Sequence, residues 1–116
     1  SMLCNALRAW ELLTKSGAKL SLFSFPFIKP IDAVFVKNLL KGKSVVLTLE
    51  EHSRIGGLGS AIAELVAEND MKIPLVRIGT KDKFIHVAGS RDYLLSQHGL
   101  SPEQIKKRIK LALKKA

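Results

Sequence analysis

The stretch that decides the fold runs from residue 50 to residue 60, Glu-Glu-His-Ser-Arg-Ile-Gly-Gly-Leu-Gly-Ser. An apolar segment, residues 44–49, precedes it and predicts a buried strand. The apolar residues after it recur at helical spacing and predict a helix over residues 61–69. A strand that ends in acidic residues and turns through glycines into a helix is the part of an α/β unit where sites are usually built.

The segments on either side of this unit continue the alternation of strands and helices. Strands are predicted over residues 19–25 and 73–78, in addition to residues 44–49. Helices are predicted to end near Gly17, to begin after the capping residues Asp32 and Ser90, and to begin in a capping box formed by Ser101 and Gln104. The sequence therefore predicts an α/β fold with a mostly parallel sheet. The first predicted element is a helix, so a first strand is expected to be missing.

Length and composition predict one domain, residues 1–116, with its own core. No apolar run approaches the roughly 20 residues that a membrane helix needs, so no membrane contact is expected. The single cysteine, Cys4, cannot form an internal disulfide and favours a cytoplasmic location. Ser1, before Met2, is interpreted as the remnant of an expression tag.

The net charge of +9 is concentrated in the last predicted helix. This helix carries Lys106, Lys107, Arg108, Lys110, Lys114 and Lys115. A solvated helix face explains such a run more simply than a nucleic-acid site. Single-stranded nucleic acid would favour aromatic side chains among the basic ones, and this helix has none.

Glu50, Glu51 and His52 are the residues most open to a chemical interpretation. Consecutive strand residues point in alternating directions, so all three cannot easily face one metal ion. We therefore favour carboxylate burial at an interface over a metal site. Gly56, Gly57 and Gly59 permit either a tight structural turn or an anion held by free N–H groups, and the structural turn is favoured.

Several motifs together resemble the C-terminal domain of transketolases. Residues 45–59 carry the central resemblance, and Glu11-Leu12-Leu13, residues 27–32 and Arg77-Ile78-Gly79 extend it along the chain. The domain is shared with 1-deoxyxylulose-phosphate synthases and with the β subunits of 2-oxo-acid dehydrogenases. The resemblance implies a three-layer α/β domain whose sheet normally begins with a strand that this sequence lacks.

The resemblance also implies what this chain does not do by itself. In the family, two preceding domains bind thiamine diphosphate and a divalent metal and hold the catalytic residues. The chain is therefore expected to bind no cofactor, and to be a non-catalytic C-terminal section that supports dimerisation and the cofactor-binding domains. The expected partners are a transketolase-like N-terminal subunit or domains, with a homo-oligomer as a further expectation, and the implied reaction is two-carbon ketol transfer.

One loop is the candidate interface or anion site: Glu50, Glu51, His52, Gly56, Gly57 and Gly59. The alternative is a stand-alone module that kept the fold and binds an anion or nucleic acid. Nucleic acid is the less favoured ligand of the two.

Overall fold

The order of the elements reproduces the strand–turn–helix unit predicted at the centre of the chain. A computed structural model describes all residues, 1–116. Its elements are α1 (Leu3–Lys15), α2 (Ala33–Leu40), β1 (Val46–Ser53), α3 (Leu58–Glu68), β2 (Leu75–Thr80), α4 (Arg91–Gln97) and α5 (Pro102–Lys115). None of the helices is long and apolar enough to cross a membrane.

The sheet consists of β1 and β2, which run parallel. Val46 lies opposite Leu75 and Leu49 lies opposite Ile78, with a change of register between Leu49 and Ser53. The α/β class and the parallel pairing are thus confirmed.

Helices cover both faces of this small sheet. One core cluster joins α1, α4 and α5 to Ile78 and packs against Leu47 and Leu49. The other joins α2 and α3 and packs against Val46. Successive strand residues point to opposite faces, so the apolar run of β1 serves both cores. The three-layer arrangement follows from that run.

The predicted strand over residues 19–25 is wrong, because this segment adopts no regular secondary structure. Its backbone is held by a side chain, since Trp10 Nε1 donates to Leu20 O at 3.1 Å. A strand needs a neighbouring strand for its backbone hydrogen bonds. The apolar pattern of a segment does not determine whether such a neighbour is present. Here no strand lies beside the segment, and only two of the three predicted strands form.

An apolar cleft of about 670 Å³ separates this segment from β1. Trp10, Leu22, Phe25, Leu47 and Ile109 are among the residues that line it. Val46 N–H donates to Pro74 O on the β2 side. Alternation therefore turns the backbone groups of Leu47 and Leu49 toward the cleft, where no strand pairs with them. The cleft is the place in this structure with room for the expected first strand.

The predicted N-terminal caps are confirmed, whereas α3 begins at Leu58, three residues before its predicted start at residue 61, because Glu50 caps the amides of its first turn. Asp32 accepts from Phe35 N–H, Ser90 accepts from Tyr93 N–H, and Ser101 and Gln104 form the reciprocal capping box. The strands, by contrast, begin about two residues later than predicted. For β2 the cause is Pro74, which has no N–H for a ladder and precedes the strand.

Candidate functional site

Glu50 is a buried carboxylate that caps a helix from a neighbouring strand. Its side chain, in a residue that is only 8% exposed, projects from β1 toward the start of α3. Leu58 N–H donates to its Oε2 at 2.8 Å and Gly59 N–H donates to its Oε1 at 2.9 Å. The N-cap residue of α3, Gly57, has no side chain for this purpose. Glu50 therefore satisfies the exposed amides and the positive end of the helix dipole.

The glycines of the turn make this approach of strand and helix possible. A Cβ on Gly57 would overlap the Glu50 carboxylate. A Cβ on Gly59 would lie 2.8 Å from Thr48 Oγ1 and 3.0 Å from the Arg77 side chain. Gly56 has φ of 80° and donates its N–H to Ser60 Oγ at 2.9 Å. The free N–H groups predicted to suit an anion thus already bind the Glu50 carboxylate, and the stand-alone anion-binding alternative is not supported.

Glu51 points the opposite way and forms the principal ion pair of the surface. Arg91 Nε donates to its Oε1 at 3.1 Å, and Arg91 Nη2 donates to its Oε2. The amino group of Ser1 lies 3.4 Å from the same Oε2. The hydrogen bonds from Arg91 lower the pKa of the Glu51 carboxyl below its usual range, because they favour the ionised form.

His52 is exposed, with Nδ1 2.7 Å from the Ser53 carbonyl oxygen. Glu50 is bound to α3 and Glu51 is bound to Arg91, so the three neighbouring residues act separately. Elsewhere in the structure, no group of three histidine, cysteine, aspartate or glutamate side chains is placed to hold a metal ion.

The structure reveals a group of arginines that was not predicted from the sequence. Arg77 Nη1 donates to Arg54 O at 3.0 Å and approaches Ser60 Oγ at 3.4 Å. Arg108 Nη2 donates to Arg77 O at 3.4 Å. Burial, together with the charge of Arg54, lowers the pKa of the Arg108 guanidinium. The scarcity of arginine, five of the 19 basic residues, was the signal that could have drawn attention to them.

The basic face of α5 is otherwise a solvated helix surface. Lys107, Lys110, Lys114 and Lys115 are exposed, and Lys106 approaches Glu103 at 3.7 Å. No aromatic side chain lies among them. The nucleic-acid alternative is therefore not supported either.

Comparison with known proteins gives a consistent result. Residues 1–105 match the family model described as transketolase, C-terminal domain. The chain is 44% identical over 111 residues to a putative transketolase C-terminal section of Methanocaldococcus jannaschii, covering 96% of this chain and 34% of that protein. It is 36% identical over 110 residues to a 1-deoxy-D-xylulose-5-phosphate synthase of Chlorobium luteolum, covering 95% of this chain and 17% of that enzyme.

A solved structure with a similar fold is described as a split gene transketolase, an inactive β4 tetramer. The TM-score is 0.82 at 34% sequence identity, and the match covers 97% of this chain and 35% of that one. The chain thus spans about a third or less of the length of the relatives that it matches.

Proposed function

The chain belongs to the family of transketolase C-terminal domains, and from this premise we propose that it is the non-catalytic C-terminal section of a transketolase-like, thiamine-diphosphate-dependent enzyme. The reaction of the assembled enzyme would be the transfer of a two-carbon ketol unit between sugar phosphates. The similarity to a transketolase C-terminal section and to a split gene transketolase supports this proposal over a self-sufficient enzyme.

The observation that carries the proposal is the open edge of β1. Leu47 and Leu49 turn unpaired backbone groups toward an apolar cleft of about 670 Å³. Unpaired strand edges and exposed apolar surface both favour association with further polypeptide. We propose that a strand from the rest of the enzyme lies in this cleft, parallel to β1, as the expected first strand.

Two loops at the carboxyl ends of the strands offer a further contact surface. Ile55, in the loop after β1, is 67% exposed, and Phe84, in the loop after β2, is 90% exposed. Large apolar side chains with this exposure suit a protein interface. In the proposed assembly they would contact the cofactor-binding domains or the second copy of a dimer, in the cytoplasm.

Thiamine diphosphate and a divalent metal would be held by the partner domains. The donor set of this chain does not fit either group. Both carboxylate oxygens of Glu50 accept helix amides, and both of Glu51 accept from Arg91. A metal ligand would have to give up these bonds, so no catalytic step is assigned to residues of this chain.

Reconstitution tests the proposal. The chain is co-expressed with a transketolase-like N-terminal section, and ketol transfer is assayed with thiamine diphosphate and Mg²⁺. We expect activity only when both polypeptides are present, and co-elution of the two in gel filtration. Equal activity of the N-terminal section alone would refute the supporting role.

A second candidate is the C-terminal section of a 1-deoxyxylulose-phosphate synthase. The identity of 36% to the Chlorobium luteolum enzyme favours it as the alternative. The same reconstituted pair separates the two activities. Pyruvate with glyceraldehyde 3-phosphate would give 1-deoxyxylulose 5-phosphate and carbon dioxide, whereas ketol donors and aldose acceptors would give sugar phosphates without carbon dioxide.

A further inference from the structure

Three of the five arginines of this lysine-rich chain converge at the outer edge of β2. Arg77 lies in β2, Arg54 follows β1, and Arg108 lies on α5. Hydrogen bonds connect them in series, from Arg108 Nη2 to Arg77 O and from Arg77 Nη1 to Arg54 O. Three separate elements thus place arginines beside one another at this edge, and we call Arg54, Arg77 and Arg108 the arginine edge.

No ion pair engages the arginine edge, and the Glu50 side chain that flanks Arg54 at Gly79 is bound by helix amides. The ion pairs of the structure join Glu51 to Arg91 and to the amino group of Ser1, and Glu103 to Lys106. None of the three arginines has a carboxylate oxygen within 4.0 Å. Burial, and secondarily the charge of Arg54, lower the pKa of Arg108. Guanidinium groups without an ion-pair partner attract an anionic partner.

Two of the three guanidinium groups are held by backbone oxygens, and all three are largely unused as donors. Each guanidinium offers five N–H donors. Backbone oxygens engage Arg77 Nη1 and Arg108 Nη2, and the Arg54 side chain makes no hydrogen bond. Arginine binds carboxylates through two parallel N–H donors, which a lysine cannot do. The remaining donors are suited to that geometry.

The location of the arginine edge favours a protein ligand. None of its three residues lines the large cleft, which lies against β1. Arg54 and Arg77 are exposed, and Arg108 is half-buried. Small anions are usually held in concave sites with converging polar groups, whereas an exposed edge suits carboxylates carried on another protein surface.

We propose that Arg54, Arg77 and Arg108 form a docking site for acidic side chains of the partner N-terminal section. The inference rests on the proposed function for the existence of that partner. The arginine edge by itself implies the chemistry of the partner surface, which is a cluster of Asp or Glu side chains.

A titration of the ¹⁵N-labelled chain with a hexaglutamate peptide tests the site. We expect the largest NMR shifts at the Nε–Hε groups of these arginines and at the amide of Gly79, whose missing Cβ lets Arg54 pass. The double variant R54Q/R108Q should weaken peptide binding about fivefold to tenfold, since two ion pairs are lost. The matched control K107Q/K110Q removes the same charge from the exposed face of α5 and should change binding less than about twofold.

Equal weakening by both double variants would overturn the proposal, because binding would then follow net charge alone. Inorganic phosphate is titrated in parallel. Saturable phosphate binding at these arginines, tighter than that of the peptide, would assign a small-anion site and also overturn it. In the reconstituted enzyme, R54Q/R108Q should weaken assembly relative to K107Q/K110Q. Normal assembly of R54Q/R108Q would refute the docking site while leaving the proposed function intact. Failed reconstitution of the unaltered chain would contradict the proposed function and, with it, the partner, and peptide binding at these arginines would then show only an affinity for acidic peptides.

Discussion

The two edges of the sheet differ in chemistry although they belong to one βαβ unit. The edge of β1 faces an apolar cleft through Leu47 and Leu49, whereas the edge of β2 carries Arg77 and is overlaid by Arg108. An apolar edge is stable only when it is covered, so it suits a permanent element. A charged edge is stable in water and suits a contact that is formed and released. In the proposed assembly, the sheet would therefore contact the rest of the enzyme through two edges of different chemistry.

Filling the cleft should have the largest effect. Ser1 lines the cleft and its amino group lies near Glu51, within β1 and toward its carboxyl end. A five-residue Val/Ile strand joined to Ser1 can therefore run parallel to β1. We expect it to raise the free energy of unfolding by about 4 kcal/mol, as burial of several aliphatic side chains exceeds the cost of ordering them. Urea unfolding measures the gain, and hydrogen exchange should slow at Leu47 and Leu49.

A Gly/Ser extension of equal length is the control for this experiment. It also removes the ion pair of the Ser1 amino group, so the two extensions differ only in apolar content. If both give the same stability and the same exchange rates, the edge of β1 does not need a covering strand and the contrast between the edges fails.

Removal of the Glu50 carboxylate should have the next largest effect. Glu50→Ala leaves two amides of α3 without an acceptor, and we expect the free energy of unfolding to fall by about 2–3 kcal/mol. Urea unfolding measures it, with Glu64→Ala on exposed α3 surface as a control for helix composition. If Glu50→Ala and Glu64→Ala lower the free energy of unfolding equally, the hydrogen bonds from α3 to Glu50 do not stabilise the packing of α3 on the sheet.

The pair of Glu51 and Arg91 should make a smaller, pH-dependent contribution. The pKa of Glu51 is lowered in the folded chain, so its stabilisation is present above the ordinary glutamate pKa and is lost as pH falls through the lower, folded value. With about a third of the side chain exposed, we expect less than about 1 kcal/mol. Glu51→Gln should flatten the decline of stability in that acidic range, and an unchanged profile would contradict the pairing.

The smallest effect is expected at the arginine edge. Arg108→Gln loses one long hydrogen bond but also relieves repulsion from Arg54. The free energy of unfolding should therefore change by less than about 0.5 kcal/mol. Thermal unfolding at low and high salt checks this. A loss well above that value would show that the arginines hold the fold together, and the edge of β2 would then be structural.

Local features were predictable from sequence because neighbouring residues determine them. Asp32, Ser90 and the pair Ser101–Gln104 cap helices through bonds that span three residues. The glycine turn was predicted as a tight structural turn, and the Cβ positions at Gly57 and Gly59 explain why. The Glu50 carboxylate, which accepts hydrogen bonds from two amides of this turn, lies eight and nine residues before them in the sequence and was not predicted.

The sequence by itself determined the α/β class, the order of the helices and their caps, since periodicity and capping act within a few residues. Only the tertiary structure decided that residues 19–25 form no strand, because a strand depends on a neighbouring strand whose position in the sequence is not fixed. It also decided which residues share a surface. Arg54, Arg77 and Arg108 are separated by 23 and 31 residues, and only the tertiary structure brings them into hydrogen-bond contact.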